Sequence, residues 1–312
     1  MENLLFSLQI VAPIFITMAL GYLIKLTGIM TENTVLQVNK MIFLVLLPLL
    51  VFMNIYNSDS FTSLRLDLVI FIVAGTVIQF FIALSITLLS EKNNAQRGAI
   101  LQGMFRSNYV LFAIPIALAI FGSDTAGVAS LLIGIIIPLY NVLAVIALEM
   151  FNGGQPSFFK TIFGIIKNPL IIASVIAVLL KVFNIALPVL IHDTIGDISN
   201  ITTPLAFLML GSFFNFGDIG KYVKPLLMTT FFKLIVFPAI FILAAIFIGF
   251  RGGSLVIIMT VFASPIAVSS FTMAQEMGGD GKLAGQLVVF TSLLSVFTIF
   301  FIIFLLRTFA FI

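Results

Sequence analysis

No cysteine occurs among the 312 residues, which excludes disulfides, thiolate metal sites and a thiol nucleophile, and leaves the redox compartment undetermined. Histidine occurs once, at His192. With only Asp193 and Asp197 nearby in a loop it makes a poor metal set and reads as a solvated side chain, so no metal site and no cofactor are expected. Charged residues are scarce as well, at 9% against about 25% in a soluble domain. Tryptophan is absent, although interfacial belts normally use Trp and Tyr. The formal charge of +3 is small, and the basic residues lie between apolar runs, a pattern of membrane topology rather than of nucleic-acid binding.

What is present is apolar. Hydrophobic residues make up 61% of the chain, 35 of them Phe, and the mean hydropathy is +1.27. A membrane helix needs roughly 20 apolar residues. The apolar runs predict ten spans, near residues 4–26, 35–56, 67–90, 99–121, 125–149, 169–187, 203–216, 225–249, 254–277 and 283–309. These residues leave no room for a soluble catalytic domain. The first run follows Glu2 rather than a basic segment and is longer than a signal-peptide core, so it reads as a retained helix. Between Phe151 and Asn168 a stripe of Phe158, Phe159, Ile162, Phe163 and Ile166 lies between Lys160 and Lys167, suited to a short interfacial helix.

Basic residues in the short loops set orientation. Lys25, Lys40, Lys92, Arg97, Lys160, Lys167, Lys221, Lys224 and Lys282 fall in one set of loops; Arg65, Lys181, Arg251 and Arg307 fall in the other. That bias places both termini outside a cell (inner) membrane. The fold class is therefore an all-α membrane protein of ten transmembrane helices, divided as 1–150, a connector over 151–168, and 169–312. Five helices per half give two inverted repeats, an arrangement many secondary transporters use.

The fourth and ninth spans support the repeat. Ile114-Pro115-Ile116-Ala117 faces Ser264-Pro265-Ile266-Ala267, and each is followed by a glycine and aspartate turn. A proline removes one amide and clashes with the carbonyl four residues earlier, so both helices are expected to break or kink sharply near mid-membrane. Backbone unpaired at that depth is tolerated only around a cavity, which makes matched breaks a pointer to a transport site. Half-helices starting at Pro115 and Pro265 would aim their amino ends at the membrane centre and attract an anion. Ser264 then reads as an N-cap with proline at the first helical position, followed by Ser269 and Ser270.

Before the first break stands Arg106-Ser107-Asn108-Tyr109, whose amide and hydroxyls suit either freed backbone or substrate oxygens. Arg106 and Lys233 sit roughly 13 Å along a helix from the cytoplasmic edge, where a cation costs at least about 2.5–3.5 kcal/mol. They either line an inward cavity and attract a carboxylate or snorkel to headgroups. Asn54 is a cavity candidate and Gln79 an interhelical amide. Gln275 and Glu276 suit a coupling ion, sodium or proton, or a surface pair of Glu276 with Arg97 or Lys282.

Arg106-Ser107-Asn108 with Pro115-Ile116, Lys167-Asn168-Pro169-Leu170-Ile171, Pro204 with Gly211, and Pro265 with Ala274, Gly278 and Asp280 together resemble the auxin efflux carrier family, in its bacterial, malate-permease-like branch. The resemblance spans nearly the whole chain. It implies crossed proline-broken helices as in bile-acid sodium symporters, an elevator-like mechanism, a homodimer, and Asn108 holding a substrate carboxylate. Where plant members carry a second proline five residues after the crossing proline, this chain has Ser270, which favours a small mono- or dicarboxylate such as malate over auxin. The expected function is therefore that of a permease for a small organic anion, not an enzyme: an intramembrane aspartyl protease would need a second carboxylate near Asp280. An aromatic-carboxylate carrier and a non-transporting metabolite sensor stand as alternatives.

Overall fold

The computed structural model describes residues 2–57, 65–152, 166–215, 217 and 219–312. Among them there are helices and turns and no strand. The helices are α1 (Glu2–Leu26), α2 (Glu32–Met41), α3 (Leu47–Tyr56), α4 (Leu66–Ser90), α5 (Asn94–Phe105), α6 (Tyr109–Phe121), α7 (Ser123–Phe151), α8 (Pro169–Val182), α9 (Val189–Asn200), α10 (Thr202–Phe213), α11 (Ile219–Phe231), α12 (Phe237–Ile248), α13 (Gly252–Ala263), α14 (Ser269–Glu276) and α15 (Gly281–Thr308).

Among the described residues five stretches are long and apolar enough to cross a membrane: 32–56, 66–90, 127–151, 220–248 and 281–308. The bent pair Asn94–Ala113 and Pro115–Phe121, whose axes differ by 55°, adds a sixth. Ala12–Leu26, Pro169–Val182 and Gly252–Ala263 are shorter apolar helices. Each expected span thus has helix within it. The expected interfacial stripe falls, except for Ile166, outside the described residues.

Local chemistry sets the ends. Thr31 caps α2 by accepting from the Thr34 amide (3.2 Å), Asn93 caps α5 at Ala95 (3.0 Å), and Asn168 caps α8 at Leu170 (2.9 Å) with Pro169 at the first turn. Asp280 accepts from the Leu283 amide (3.0 Å) and from the Tyr222 hydroxyl (3.3 Å), which makes it the cap of α15. Two π-helical turns, Ile42–Leu46 and Phe232–Val236, join α2 to α3 and α11 to α12. Each precedes a proline, Pro48 or Pro238, that cannot donate an amide. The Leu47 and Phe237 amides reach back to the Ile42 and Phe232 carbonyls instead, shifting the register by one residue.

The tightest helix contact joins α1 to α10. A Cβ at Gly21 would fall on the Leu208 carbonyl oxygen, and one at Gly211 on the Met18 carbonyl oxygen. The Ser212 hydroxyl donates across this seam to the Gly21 carbonyl (2.8 Å).

Candidate functional site

Two helices are interrupted in mid-course, and their interruptions touch. α5 ends at Phe105, residues 106–108 are extended or irregular, and α6 begins at Tyr109; α13 ends at Ala263 and α14 begins at Ser269. The Asn108 amide donates to the Pro265 carbonyl at 2.8 Å. The expectation that the breaks meet is met on that bond; the coil that makes it lies before Pro115, while the bent pair Asn94–Ala113 and Pro115–Phe121 divides at that proline, its parts differing by 55°. The interruption before α6 lies at Arg106–Asn108, and Pro115 sits seven residues into α6; the amino end facing the crossing is therefore that of Tyr109. Ser264 is not an N-cap. Its hydroxyl donates back to the Thr260 carbonyl (2.5 Å), and α14 starts five residues later.

Freed backbone groups account for most of the polar side chains here. Pro265 has no amide for the Val261 carbonyl four residues earlier, and that oxygen accepts instead from the Ser107 hydroxyl (2.5 Å) and the Tyr140 hydroxyl (3.2 Å). The Met104 carbonyl, whose helical partner would be the diverted Asn108 amide, accepts from Gln79 Nε2 at 2.8 Å. The Ile266 amide donates to Thr291 Oγ1 (3.2 Å), and the Tyr109 hydroxyl to the Ala129 carbonyl (3.0 Å). Ser107 and Tyr109 thus serve the backbone, whereas Asn108 Nδ2, on a residue only 8% exposed, has no partner.

Both intramembrane cations reach this junction. Lys233, 0% exposed on its π turn, donates from Nζ to Ser107 Oγ at 2.5 Å, so it does not snorkel. Arg106, 5% exposed, donates from Nη2 to Asn141 Oδ1 (2.9 Å), and its Nη1 lies 2.6 Å from the Met273 sulfur. With the Gln102 amide turned so that both its groups are satisfied, its oxygen accepts from Arg106 Nη1 and its nitrogen donates to the Ser270 carbonyl, each at 3.2 Å. Among the described residues neither cation pairs with a carboxylate, whereas Arg65 at the surface pairs with Asp67.

A cavity of about 80 Å³ adjoins these groups, lined by Arg106, Ser107, Asn108, the first turn of α6 (Tyr109 to Leu111), Tyr140, Asn141, Ser269, Asn54, Thr202 and Thr203 among others. That is several times the roughly 10–15 Å³ needed to admit one water. Asn141 Nδ2 is, like Asn108 Nδ2, buried and without a partner. A second hollow of about 460 Å³ shares Leu50, Asn54 and Val110 with the first and extends to His192, Asp193 and Asp197. His192 there bonds Asp193 (3.1 Å) and Asn57 (3.0 Å).

The structure therefore gathers Arg106, Ser107, Asn108, Asn54 and Ser269 around one cavity, with Lys233 behind Ser107. Ser264, Pro265 and Ser270 are structural neighbours outside its lining, and the Ser270 hydroxyl is buried without a partner. Gln275 and Glu276 lie at the far end of α14. Gln275 Oε1 sits against Gly281, and Glu276 accepts from Asn39 Nδ2 (3.1 Å) rather than pairing with Arg97 or Lys282. Asn141, Tyr140, Thr202 and Thr203 went unrecognised in the sequence, although an amide beside Pro138 inside an apolar span was a usable signal for Asn141.

The family described as "Membrane transport protein" matches residues 6–303. An uncharacterized transporter of Methanothermobacter thermautotrophicus is 25% identical over 297 residues, covering 93% of this chain and 95% of its own. An uncharacterized transporter of Methanocaldococcus jannaschii is 23% identical over 302 residues, covering 94% and 96%. Family and relatives alike point to a multi-pass membrane transporter and not to an enzyme. With nearly its whole length matched, the chain belongs to the membrane transport protein family, that of the auxin efflux carriers.

Proposed function

We propose that the chain carries a small organic anion, a mono- or dicarboxylate, through the junction of its two interrupted helices by alternating access. The observation that carries the reading is the pair of buried cations, Arg106 and Lys233, with no carboxylate partner among the described residues. Buried charge is costly unless paired, and a transported anion is the partner that a transporter can take on and release. Two unpartnered amide nitrogens, on Asn108 and Asn141, and the amino end of α6 face the same cavity and suit carboxylate oxygens. Arg106 supplies the charge at the cavity wall. Lys233 acts one layer behind, through Ser107.

Packing supports a division into two inverted halves. α1 lies along α10 and α3 along α8; α4 meets α5 as α12 meets α13; α6 meets α7 as α14 meets α15. Exchanging the halves maps each contact onto its counterpart. On that reading ten spans form two five-helix repeats, and the interrupted helices move together as an elevator against the α1–α10 and α3–α8 scaffold. The cavity volume favours small carboxylates over aromatic ones.

The test is counterflow in proteoliposomes of the full chain against a panel of carboxylates, repeated with imposed sodium, proton and electrical gradients to identify the coupling ion. Carboxylate exchange that weakens in Arg106→Gln and Asn108→Ala is expected. Binding without exchange would make the protein a sensor, and flux and affinity unchanged in both variants would overturn the site.

A further inference from the structure

Away from the junction, the surface carries an apolar groove of about 490 Å³ between α12 and α15, closed at one end by Phe309 and Phe311. α15 packs along α11 and the second π turn, and the groove opens beyond them. Its wall on this side runs from Leu234 in the second π turn to Ile246 in α12, a rise of about 18 Å, close to the roughly 15 Å of one hydrocarbon leaflet. Its inner end adjoins Lys233, which bonds the crossing, and its outer end is the rim of the molecule.

That rim is basic although its side of the protein is poor in cations. Arg251 lies 4.9 Å from the Phe311 ring centroid and donates from Nη1 to the Ile246 (2.8 Å) and Phe250 (2.7 Å) carbonyls. Its Nε and Nη2 donors bond no group among the described residues, and the side chain is exposed. The chain's C-terminal end is held beside it by the Gly252 amide on the Phe311 carbonyl (2.9 Å), with Arg307 in the last turn of α15. Arg65, 6.0 Å from the Phe250 ring, is already neutralised by Asp67. A guanidinium fixed on an aromatic face with donors to spare suits a phosphate.

We infer that this groove is a binding site for an anionic phospholipid, with one acyl chain lying along α12 and its phosphate on Arg251. Length match and charge complementarity at a single end are what distinguish it from general lipid contact. The test is native mass spectrometry of the delipidated full chain titrated with phosphatidylglycerol and phosphatidylcholine of identical acyl chains. Phosphatidylglycerol is expected to bind about five- to tenfold more tightly, the effect of roughly one cation near the surface. Arg251→Gln should abolish the preference, Arg251→Lys should keep much of it, and Ala239→Phe, which fills the lipid-facing groove, should weaken both lipids. A phosphatidylglycerol preference absent from the parent or unchanged in Arg251→Gln overturns the proposal. So does an Ala239→Phe chain that loses self-association while keeping its lipid adducts, since the groove would then join two copies.

Discussion

Replacing Lys233 with methionine separates transport from stability. The Lys233 ammonium is fully buried with Ser107 Oγ as its hydrogen-bond partner at 2.5 Å. A cation at the centre of a membrane helix costs about 2.5–3.5 kcal/mol. A hydrogen bond to a charged group returns about 1.5–3 kcal/mol, and Ser107 keeps its own bond to the Val261 carbonyl without the lysine. Methionine has similar length and no charge, so the difference leaves the variant as stable as the parent or more stable by up to about 2 kcal/mol. The assay is thermal unfolding in detergent, with and without the best carboxylate from the counterflow panel, beside transport in proteoliposomes. The parent should be stabilised by the anion, whereas the variant should start at an equal or higher melting temperature, gain little from the anion, and lose at least about tenfold in affinity, or 1.4 kcal/mol. A variant that melts well below the parent yet transports normally would show that the ammonium is a structural strut and refute the reasoning.

Asn108→Ala removes an amide nitrogen that has no partner in the protein, so isothermal binding should weaken by about tenfold with little change in melting temperature; a large melting shift would assign Asn108 to the framework. Pro265→Ala returns an amide that competes with Ser107 and Tyr140 for the Val261 carbonyl, and proline costs about 3 kcal/mol more than alanine within a helix. Hydrogen exchange over residues 264–268 should then slow as α13 lengthens, and transport should fall; unchanged exchange there would show that the break does not depend on the proline. Gly211→Ala places a methyl on the Met18 carbonyl oxygen and should destabilise by at least about 1–3 kcal/mol, read as a lower melting temperature, whereas Gly127→Ala, with open space around it, serves as the neutral control.

The helices were legible because apolar length is the membrane's own requirement, and helix falls within each apolar run from α1 to α15. Arg106, Ser107 and Asn108 were legible because a polar cluster is expensive inside an apolar run. The register of the breaks was not. Matching Pro-Ile-Ala text aligns Pro115 with Pro265, but a proline constrains its own turn without dictating whether the helix ends there, and Pro115 is carried within α6. The actual interruption depends on partners distant in sequence: the Pro265 carbonyl for the Asn108 amide, and Gln79 for the Met104 carbonyl. Lys233 was ambiguous for a similar reason. A lysine at that depth has either direction open to it, and what turns it inward is a π turn set by Pro238, which shifts the face that residue 233 presents.

Between α1 and α10, main chain lies directly on main chain at Gly21 and Gly211. At those two points no rotamer can rearrange and no spacer can compress, so these two rods can neither roll nor slide without a collision. Motion in this protein must be routed elsewhere, and a cross-link placed across that seam should leave turnover unaltered.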